Sequence, residues 1–133
     1  MLQRDYFLRI LQEFATALAL FLEKKKDNKD DDLEDLYRQY VGTYEVVRNL
    51  AFEELLQYAE DQWIADERMN RLEMTAELLY AESTYKAGPL RTMLLDKAYQ
   101  VFDYVDAHGG TYSADRRKKM ADIHQAIESS LKK

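Results

Sequence analysis

The amino-acid sequence predicts an all-α fold of five to six antiparallel helices that form one domain over residues 1–133. Apolar residues recur at steps of three and four along most of the chain, which is the spacing of one helix face. Only four glycines and one proline are present, so long helices should dominate and β-turns should be scarce. No stretch alternates polar and apolar residues as a half-buried strand does. Hydrophobic residues at 47% and charged residues at 33% are typical of a globular domain.

The first predicted helix covers residues 2–25. Its apolar stripe consists of Phe7, Ile10, Leu11, Phe14, Leu18, Phe21 and Leu22. Nearly every residue from Phe14 to Leu22 is apolar, but this run of nine residues is shorter than the ~20 that a membrane span needs. We interpret the helix as a core element. The alternatives are that its excess apolar surface lies on a membrane or forms an oligomer interface, for which the candidate residues are Phe14, Leu18 and Phe21.

Residues 26–32 are predicted to form a charged linker, followed by a helix over residues 33–48 and further helical hairpins up to residue 133. The linker belongs to the run KKKDNKDDD, which lacks the glycine and the alternating oxygen ligands of a calcium-binding loop. Asp31 or Asp32 is expected to cap the next helix. Within that helix, Gly42 is expected to cost ~1 kcal/mol relative to alanine.

Tyrosines recur at helical steps in the helix over residues 33–48. Tyrosine has an apolar ring and a polar hydroxyl, so such a row usually forms the rim of a core. The same residue type is enriched at protein interfaces, so a peptide-binding groove is the alternative. The candidate partner-binding residues are Tyr37, Tyr40, Tyr44, Tyr80 and Tyr99.

The middle of the chain predicts a short helix over residues 50–60, with Trp63 as a packing plug, and then two longer helices. The first of these begins at Asp66 as N-cap, and Gly88-Pro89 ends it, because proline is best tolerated in the first turn of a new helix. The second covers residues 89–107, and its apolar set is broad enough to pack on two sides. The sequence His108-Gly109-Gly110 ends it, where a glycine fits a left-handed cap, and Ser113 is expected to cap a last helix.

Charge is distributed unevenly along the chain. The net charge of −6 disfavours general binding to nucleic-acid phosphates. Residues 1–107 carry a net charge of −9, whereas residues 108–133 carry +3. The basic run from Arg116 to Lys119 lies near a helix N-terminus, where the helix dipole disfavours cations. We interpret this run as an exposed solubilising face, and the alternatives are that the basic end pairs with the acidic body, with another copy, or with an acidic partner.

The residue pattern argues against several chemistries. Cysteine is absent, which excludes disulfides, thiolate metal sites and a cysteine nucleophile. Neither His108 nor His124 follows a glutamate in the Glu-x-x-His pattern of di-iron bundles. Ser113, Asp115 and His108 lie near one loop, but capping explains the first two better than a catalytic triad does. We therefore predict a non-enzymatic protein without a metal or other cofactor.

The helix predicted over residues 89–107 resembles the second helix of a tetratricopeptide repeat (TPR). Ala98 and Phe102 have the small-x-x-x-aromatic spacing of that helix, and Val105 continues it. In the first helix, Tyr80-Ala81 stands where the repeat has Leu-Gly, and Gly110 replaces the closing proline. The resemblance implies a TPR-like hairpin.

Three segments carry a second resemblance: the opening MLQRDYFLRILQEFATALALFLEKK with its Asp5-Tyr6, and the later AELLYAEST and LLDKAYQVFDYV. They resemble a family of small bacterial helical proteins of unknown function, which begin with a Met-x-x-x-Asp-Tyr helix and carry TPR-like helices behind it. This resemblance implies a bacterial, cytoplasmic protein and no particular substrate.

Three hypotheses for function follow. The first is a protein-interaction module that binds a protein or peptide on one face of its helical hairpins. The second is a self-associating structural protein that uses the N-terminal helix as its interface. The third is an enzyme, which would need a buried cluster of carboxylates or histidine that periodicity does not reveal.

Overall fold

A computed structural model of the chain describes residues 2–25 and 29–131, and the described residues form helices and loops without a strand. The all-α prediction is therefore confirmed, but the structure has more helices than the five to six predicted. The seven helices are α1 (Leu2–Glu23), α2 (Lys29–Tyr40), α3 (Tyr44–Val47), α4 (Phe52–Gln62), α5 (Ala65–Ser83), α6 (Gly88–His108) and α7 (Ala114–Leu131).

Helices α5 and α6 form the centre of the fold. The connection over residues 84–87 is short, so the two helices run antiparallel and pack along their lengths. Helix α5 also contacts α1, α2 and α4, while α6 also contacts α4 and α7. Ala98 and Phe102 are fully buried between these neighbours. The broad apolar pattern of residues 89–107 therefore predicted a helix that packs on more than one side.

The helix predicted over residues 33–48 is two helices in the structure, which accounts for the higher helix number. Backbone φ at Gly42 is +142°, a value that residues with a side chain rarely adopt, so α2 ends at Tyr40. The hydroxyl of Tyr58 occupies the space where a Cβ at Gly42 would lie. Gly42 thus ends a helix and admits a close contact from α4, whereas the sequence suggested a modest cost inside a continuous helix.

The predicted linker over residues 26–32 is also shorter than expected, because α2 begins at Lys29. Asp31 and Asp32 lie in the first turn of α2 and do not cap it. The Lys29 ammonium lies 4.9 Å from the centre of the Phe21 ring and 5.3 Å from that of Tyr85. These cation–π contacts bury the start of the helix. Residues 26–28 of the predicted linker lie outside the described residues.

Helix α1 packs against α2 and α5 through most of the stripe predicted for its core face, but Leu22, which was part of that stripe, is 46% exposed. Phe7, Phe14, Leu18 and Phe21 are all buried. The Arg71 guanidinium lies 5.1 Å from the centre of the Phe7 ring and donates a hydrogen bond to the Tyr40 carbonyl, which joins α1, α2 and α5. None of the helices in the described part of the chain is both apolar enough and long enough to pass through a lipid bilayer.

The structure contains two of the three capping residues predicted for the later helices. The Ser113 hydroxyl accepts a hydrogen bond of 3.1 Å from the Arg116 backbone N–H, as its predicted role as N-cap of α7 requires. Gly110 has φ +77°, the left-handed conformation expected after the end of α6. Asp66, in contrast, lies in the first turn of α5, which begins at Ala65.

Candidate functional site

An open cleft of about 450 Å³ lies between α6 and α7. We call it the α6–α7 cleft, and it is lined by Tyr99, Asp103, Asp106, Arg117, Met120, Ala121 and His124. The Tyr99 and His124 rings face each other with their centres 6.4 Å apart. Because polar side chains and a half-buried tyrosine and methionine share this cleft, it has the mixed character of a peptide-binding surface.

One aromatic and two acidic side chains form a row along α6, and Tyr99 and Asp103 of this row line the α6–α7 cleft. Asp96, Tyr99 and Asp103 are spaced three and four residues apart, so they share one face of the helix. Asp96 and Asp103 are exposed, and neither forms an ion pair within the described residues. The row therefore presents negative charge on both sides of an aromatic ring.

A second cleft of about 680 Å³ adjoins the other end of the same helix pair. It is lined by Gly88, Pro89, Arg91, Thr92, Met93, Asp96, Ile127 and Ser130. Met93 is an exposed apolar residue, and Ile127 packs partly buried against the core. Asp96 lines this second cleft, so the acidic row of α6 connects the two clefts.

The position of α7 beside these clefts depends on one buried guanidinium, that of Arg116. Its side chain is 3% exposed and donates hydrogen bonds to the carboxylates of Glu73 at 3.1 Å and Asp106 at 3.0 Å. A third hydrogen bond goes to the Thr111 carbonyl. Arg117 also pairs with Asp106 at 3.0 Å. We call these residues the Arg116 cluster, which ties α7 to both α5 and α6.

The basic run of α7 is only partly the exposed face that the sequence suggested, because Arg117 and Lys118 are 59% and 77% exposed but their two neighbours are not. Arg116 is buried, and Lys119 lies 2.6 Å from the Glu77 carboxylate and 2.9 Å from that of Asp115. Burial raises the pKa of Glu77 although the Lys119 ammonium opposes that rise. In the structure the basic end pairs with the acidic body, which was one of the alternatives that the sequence left open.

A second buried charge, the Glu82 carboxylate on α5, anchors the first half of the chain. It is fully buried and accepts two hydrogen bonds from Arg48, from Nη2 at 2.7 Å and from Nε at 3.1 Å. The Tyr44 hydroxyl donates a third at 3.1 Å, and the Lys86 ammonium lies 3.9 Å away. We call these residues the Glu82 cluster. Its paired geometry is the fork that suits arginine and a carboxylate.

Two further buried polar groups surround the Glu82 cluster. The Lys97 ammonium donates hydrogen bonds to the carbonyls of Arg48 and Leu50 at 2.6 and 2.9 Å, and burial lowers the pKa of this lysine. The Tyr37 hydroxyl is buried and has no hydrogen-bond partner among the residues that the structure describes. Its ring lies edge-on to that of Tyr44, with the ring centres 5.1 Å apart.

The Glu82 cluster is the buried carboxylate that an enzyme hypothesis would require, so its chemistry needs examination. A general base needs a lone pair that reaches substrate. Both oxygens of Glu82 already accept hydrogen bonds, and no exposed face of the carboxylate remains. Burial, and next the charge of Glu82, raise the pKa of Tyr44 well above its usual value, so this hydroxyl stays protonated. The arrangement is suited to holding α3 against α5 and not to proton transfer.

The five tyrosines predicted to bind a partner do not line one groove. Tyr37 and Tyr40 are core residues with 0% and 5% exposure, so their rings are not accessible to a partner. Tyr44 is half-buried and bound to Glu82. Tyr80 is half-buried on α5, and its pKa is raised by burial and then by the charge of Asp122 on α7. Tyr99 alone among the five lines the α6–α7 cleft.

The three residues predicted as an oligomer interface are likewise internal. Phe14, Leu18 and Phe21 are at most 8% exposed and face α2 and α5. The Phe14 ring lies edge-on to that of Tyr40, and their centres are 5.1 Å apart. The core interpretation of α1 applies to these side chains. The apolar residues of α1 that reach solvent are different ones, namely Tyr6, Leu8, Leu20 and Leu22.

The residues weighed for catalysis or metal binding have other partners. Ser113 caps α7, Asp115 pairs with Lys119, and His108 Nδ1 lies 3.0 Å from the Tyr104 carbonyl. His124 pairs with Glu128 at 3.0 Å. Over residues 2–25 and 29–131, no three histidine or carboxylate side chains converge as metal ligands do.

Sequence reasoning missed Glu82, Arg48 and Arg116, although a signal for them exists. Glu82 follows Leu78 by four residues, and Arg116 precedes Met120 by four. Each charged residue therefore continues the apolar stripe of its own helix, where a buried and paired charge is the expected exception. The comparisons with protein families, curated proteins and solved structures find no match for this chain. The resemblance to a bacterial helical family therefore stays a prediction.

Proposed function

We propose that this chain is a non-enzymatic protein-interaction module with a TPR-like helical hairpin, and that the α6–α7 cleft binds a basic segment of a protein partner. The observation that carries the proposal is the row Asp96, Tyr99 and Asp103 on α6. Its two carboxylates lack an ion-pair partner within the described residues, while the carboxylates nearer the core are paired. The bacterial, cytoplasmic setting that the sequence implies is part of the same proposal.

The chemistry of the row favours a cationic side chain. A lysine or arginine above the Tyr99 ring gains a cation–π contact worth ~0.5–2 kcal/mol. The carboxylates of Asp96 and Asp103 then attract the same charge from both sides. Such complementary charge steers association and selects the partner. The half-buried Met120 and Ile127 provide apolar contact for the neighbouring residues of the segment.

The TPR-like hairpin supports the proposal from the side of the scaffold. Ala98 and Phe102 are fully buried, so they can perform the packing roles of the small and aromatic residues in such a helix. The buried face of α6 thus contains the repeat-like residues, and the acidic row lies beside that face on the side that lines the two clefts. A rigid helix holds Asp96, Tyr99 and Asp103 in register without a cost for ordering them on binding.

A peptide array tests the proposal. The probes are 12-residue peptides that combine lysine or arginine with leucine, methionine or phenylalanine, together with acidic peptides of equal hydropathy. Basic members should bind, and binding measured by fluorescence anisotropy should weaken as salt rises. The triple variant D96N/Y99A/D103N should bind at least ~10-fold more weakly, because one charge-assisted contact is typically worth over ~1 kcal/mol.

The matched control places the same chemical changes elsewhere. Asp31 on α2 and Tyr6 on α1 are exposed, and neither lines the cleft. The variant D31N/Y6A should bind like the wild type. Equal weakening in both variants, or preferred binding of the acidic peptides, would contradict the proposal.

A further inference from the structure

Helix α1 carries an exposed stripe that its own fold does not use. Leu8, Gln12, Ala15, Ala19 and Leu22 are all exposed, and they are separated by steps of four, three, four and three residues. This is the spacing of a coiled-coil seam, and it spans ~21 Å of helix. We call it the α1 seam. Leu8 and Leu22 are 48% and 46% exposed.

We propose that the α1 seam binds the α1 seam of a second copy of this chain in antiparallel orientation, with Ala15 at the two-fold axis. The arrangement of large and small side chains along the seam is the reason for proposing a second copy as the partner. Each end has a leucine, and Gln12 and two alanines lie between them, so antiparallel pairing about Ala15 sets Leu8 against Leu22 of the second copy. The small side chains of Ala15 and Ala19 then let the two helix backbones approach closely.

Charge complementarity selects the antiparallel orientation over the parallel one. Arg9 follows Leu8, and Glu23 follows Leu22. One end of the seam therefore has a positive charge beside its leucine, and the other end has a negative charge. Antiparallel pairing brings Arg9 within reach of Glu23 of the second copy. It also brings the end that contains Asp5 near the end that contains Lys25, and it opposes the two helix dipoles. Parallel pairing would place like charges together at both ends.

The size of the seam sets the expected affinity. Five residues over ~21 Å form an interface at the small end of specific ones, which bury ~1,200 Å² or more when stable. A dimer with Kd of about 10–100 μM is therefore expected. The seam differs from the predicted oligomer residues Phe14, Leu18 and Phe21, which are buried. It also involves none of the residues of the α6–α7 cleft, so the two proposals stand or fall separately.

Sedimentation velocity of the full chain from about 1 to 500 μM tests association at the concentrations that bracket this Kd. The wild type should shift from monomer to dimer, whereas L8E/L22E should stay monomeric throughout. The matched control is L20E, because Leu20 is 58% exposed on the same helix but lies ~120° from the seam. L20E should dimerise within about two-fold of the wild type. A wild type that is monomeric at 500 μM, or equal dissociation of L20E, overturns the proposal.

The absence of cysteine allows a test of orientation. A15C should form a disulfide-linked dimer under copper-phenanthroline oxidation, because antiparallel pairing places position 15 against itself. L8C should not, because position 8 then lies ~21 Å from its copy and a disulfide requires Cα atoms within ~7 Å. A parallel pair would place both positions against their own copies, so linked L8C, with or without linked A15C, would overturn the proposal.

Two further measurements separate the specific dimer from other uses of an apolar helix. R9E should weaken dimerisation about five-fold or more, and R9E/E23R should restore it, which non-specific association would not show. Flotation with vesicles of phosphatidylcholine and phosphatidylserine should leave the protein unbound. Binding to vesicles that L8E/L22E abolishes, in a wild type that never dimerises, would assign the seam to a membrane surface and overturn the proposal. Circular dichroism should show each variant to be as helical as the wild type.

Discussion

The Glu82 cluster and the Arg116 cluster use the same device with opposite charge. Glu82 is a buried carboxylate that gathers donors from the first half of the chain, and Arg116 is a buried guanidinium that gathers acceptors from α5 and α6. Their settings differ. Arg48 is 14% exposed beside a fully buried Glu82, whereas Glu73 is 26% exposed beside Arg116. The first cluster is enclosed, and the second borders solvent and the α6–α7 cleft.

The difference shows how a buried charge can serve two purposes. A charge removed from water must have its hydrogen bonds completed by the protein, or the fold loses several kcal/mol. The Glu82 cluster completes them with Arg48 and Tyr44, neither of which lines a cleft described above. The Arg116 cluster completes them at the surface, where Asp106 is both a partner of Arg116 and part of the cleft lining. The second cluster therefore positions a wall of the proposed binding site.

The largest expected effect is that of E82A. It leaves the Arg48 guanidinium buried without its carboxylate, and breaking such a pair typically costs ~3–5 kcal/mol. Urea unfolding followed by circular dichroism measures the change. The control E53A removes an exposed carboxylate from α4 and should change the unfolding free energy by less than ~0.5 kcal/mol. A loss below about 1 kcal/mol in E82A would show that the cluster is not an anchor.

A smaller effect is expected for R116M. The variant keeps the buried stem but leaves Glu73 unpaired and Asp106 paired only with Arg117, and because both carboxylates can reach water the cost should be ~2–3 kcal/mol. Hydrogen exchange should accelerate in α7 more than in α2, since α7 loses one of its ties to α5 and α6 and α2 loses none. The control R38M alters an arginine that is 70% exposed, and it should cost less than ~0.5 kcal/mol. Uniform acceleration across all helices would argue against a local anchoring role.

The smallest effect is expected from removing the hydroxyl of Tyr37, which borders the Glu82 cluster, or that of Tyr44, which belongs to it. No group in the described part of the chain forms a hydrogen bond with the Tyr37 hydroxyl, so Y37F should leave stability unchanged or raise it by up to ~1 kcal/mol. The Tyr44 hydroxyl donates to Glu82, so Y44F should cost ~1–2 kcal/mol. Both variants remove one oxygen from adjacent rings, and each serves as the control for the other. A cost for Y37F equal to that for Y44F would mean that the Tyr37 hydroxyl has a partner after all.

Most helices could be predicted because their apolar periodicity is long. The start of α6 at Gly88-Pro89 and the cap at Ser113 rest on local rules of backbone geometry, and both are found in the structure. The break after Tyr40 was not predicted from the sequence. A glycine inside a helical pattern is either tolerated or ends the helix, and the contact between Gly42 and the Tyr58 hydroxyl decides between these outcomes.

The binding residues were harder to predict than the helices, because periodicity identifies a face and not what covers it. Tyr37, Tyr40 and Tyr99 all recur at helical steps, yet the first two are buried under neighbouring helices and the third lines an open cleft. Phe14 and Leu8 lie on the same helix and are both apolar. The packing of α2 and α5 buries Phe14 and leaves Leu8 in solvent.

The sequence by itself determined that this protein is built of helices, where most of them begin and end, and which chemistries lack the residue types they require. These properties depend on local backbone preferences and on composition, which a linear chain contains in full. Only the tertiary structure decided that Glu82 and Arg116 are buried, which tyrosine meets solvent, and which stripe of α1 is left over. Those outcomes depend on contacts between residues 30 or more positions apart, such as Tyr44 with Glu82 and Glu73 with Arg116.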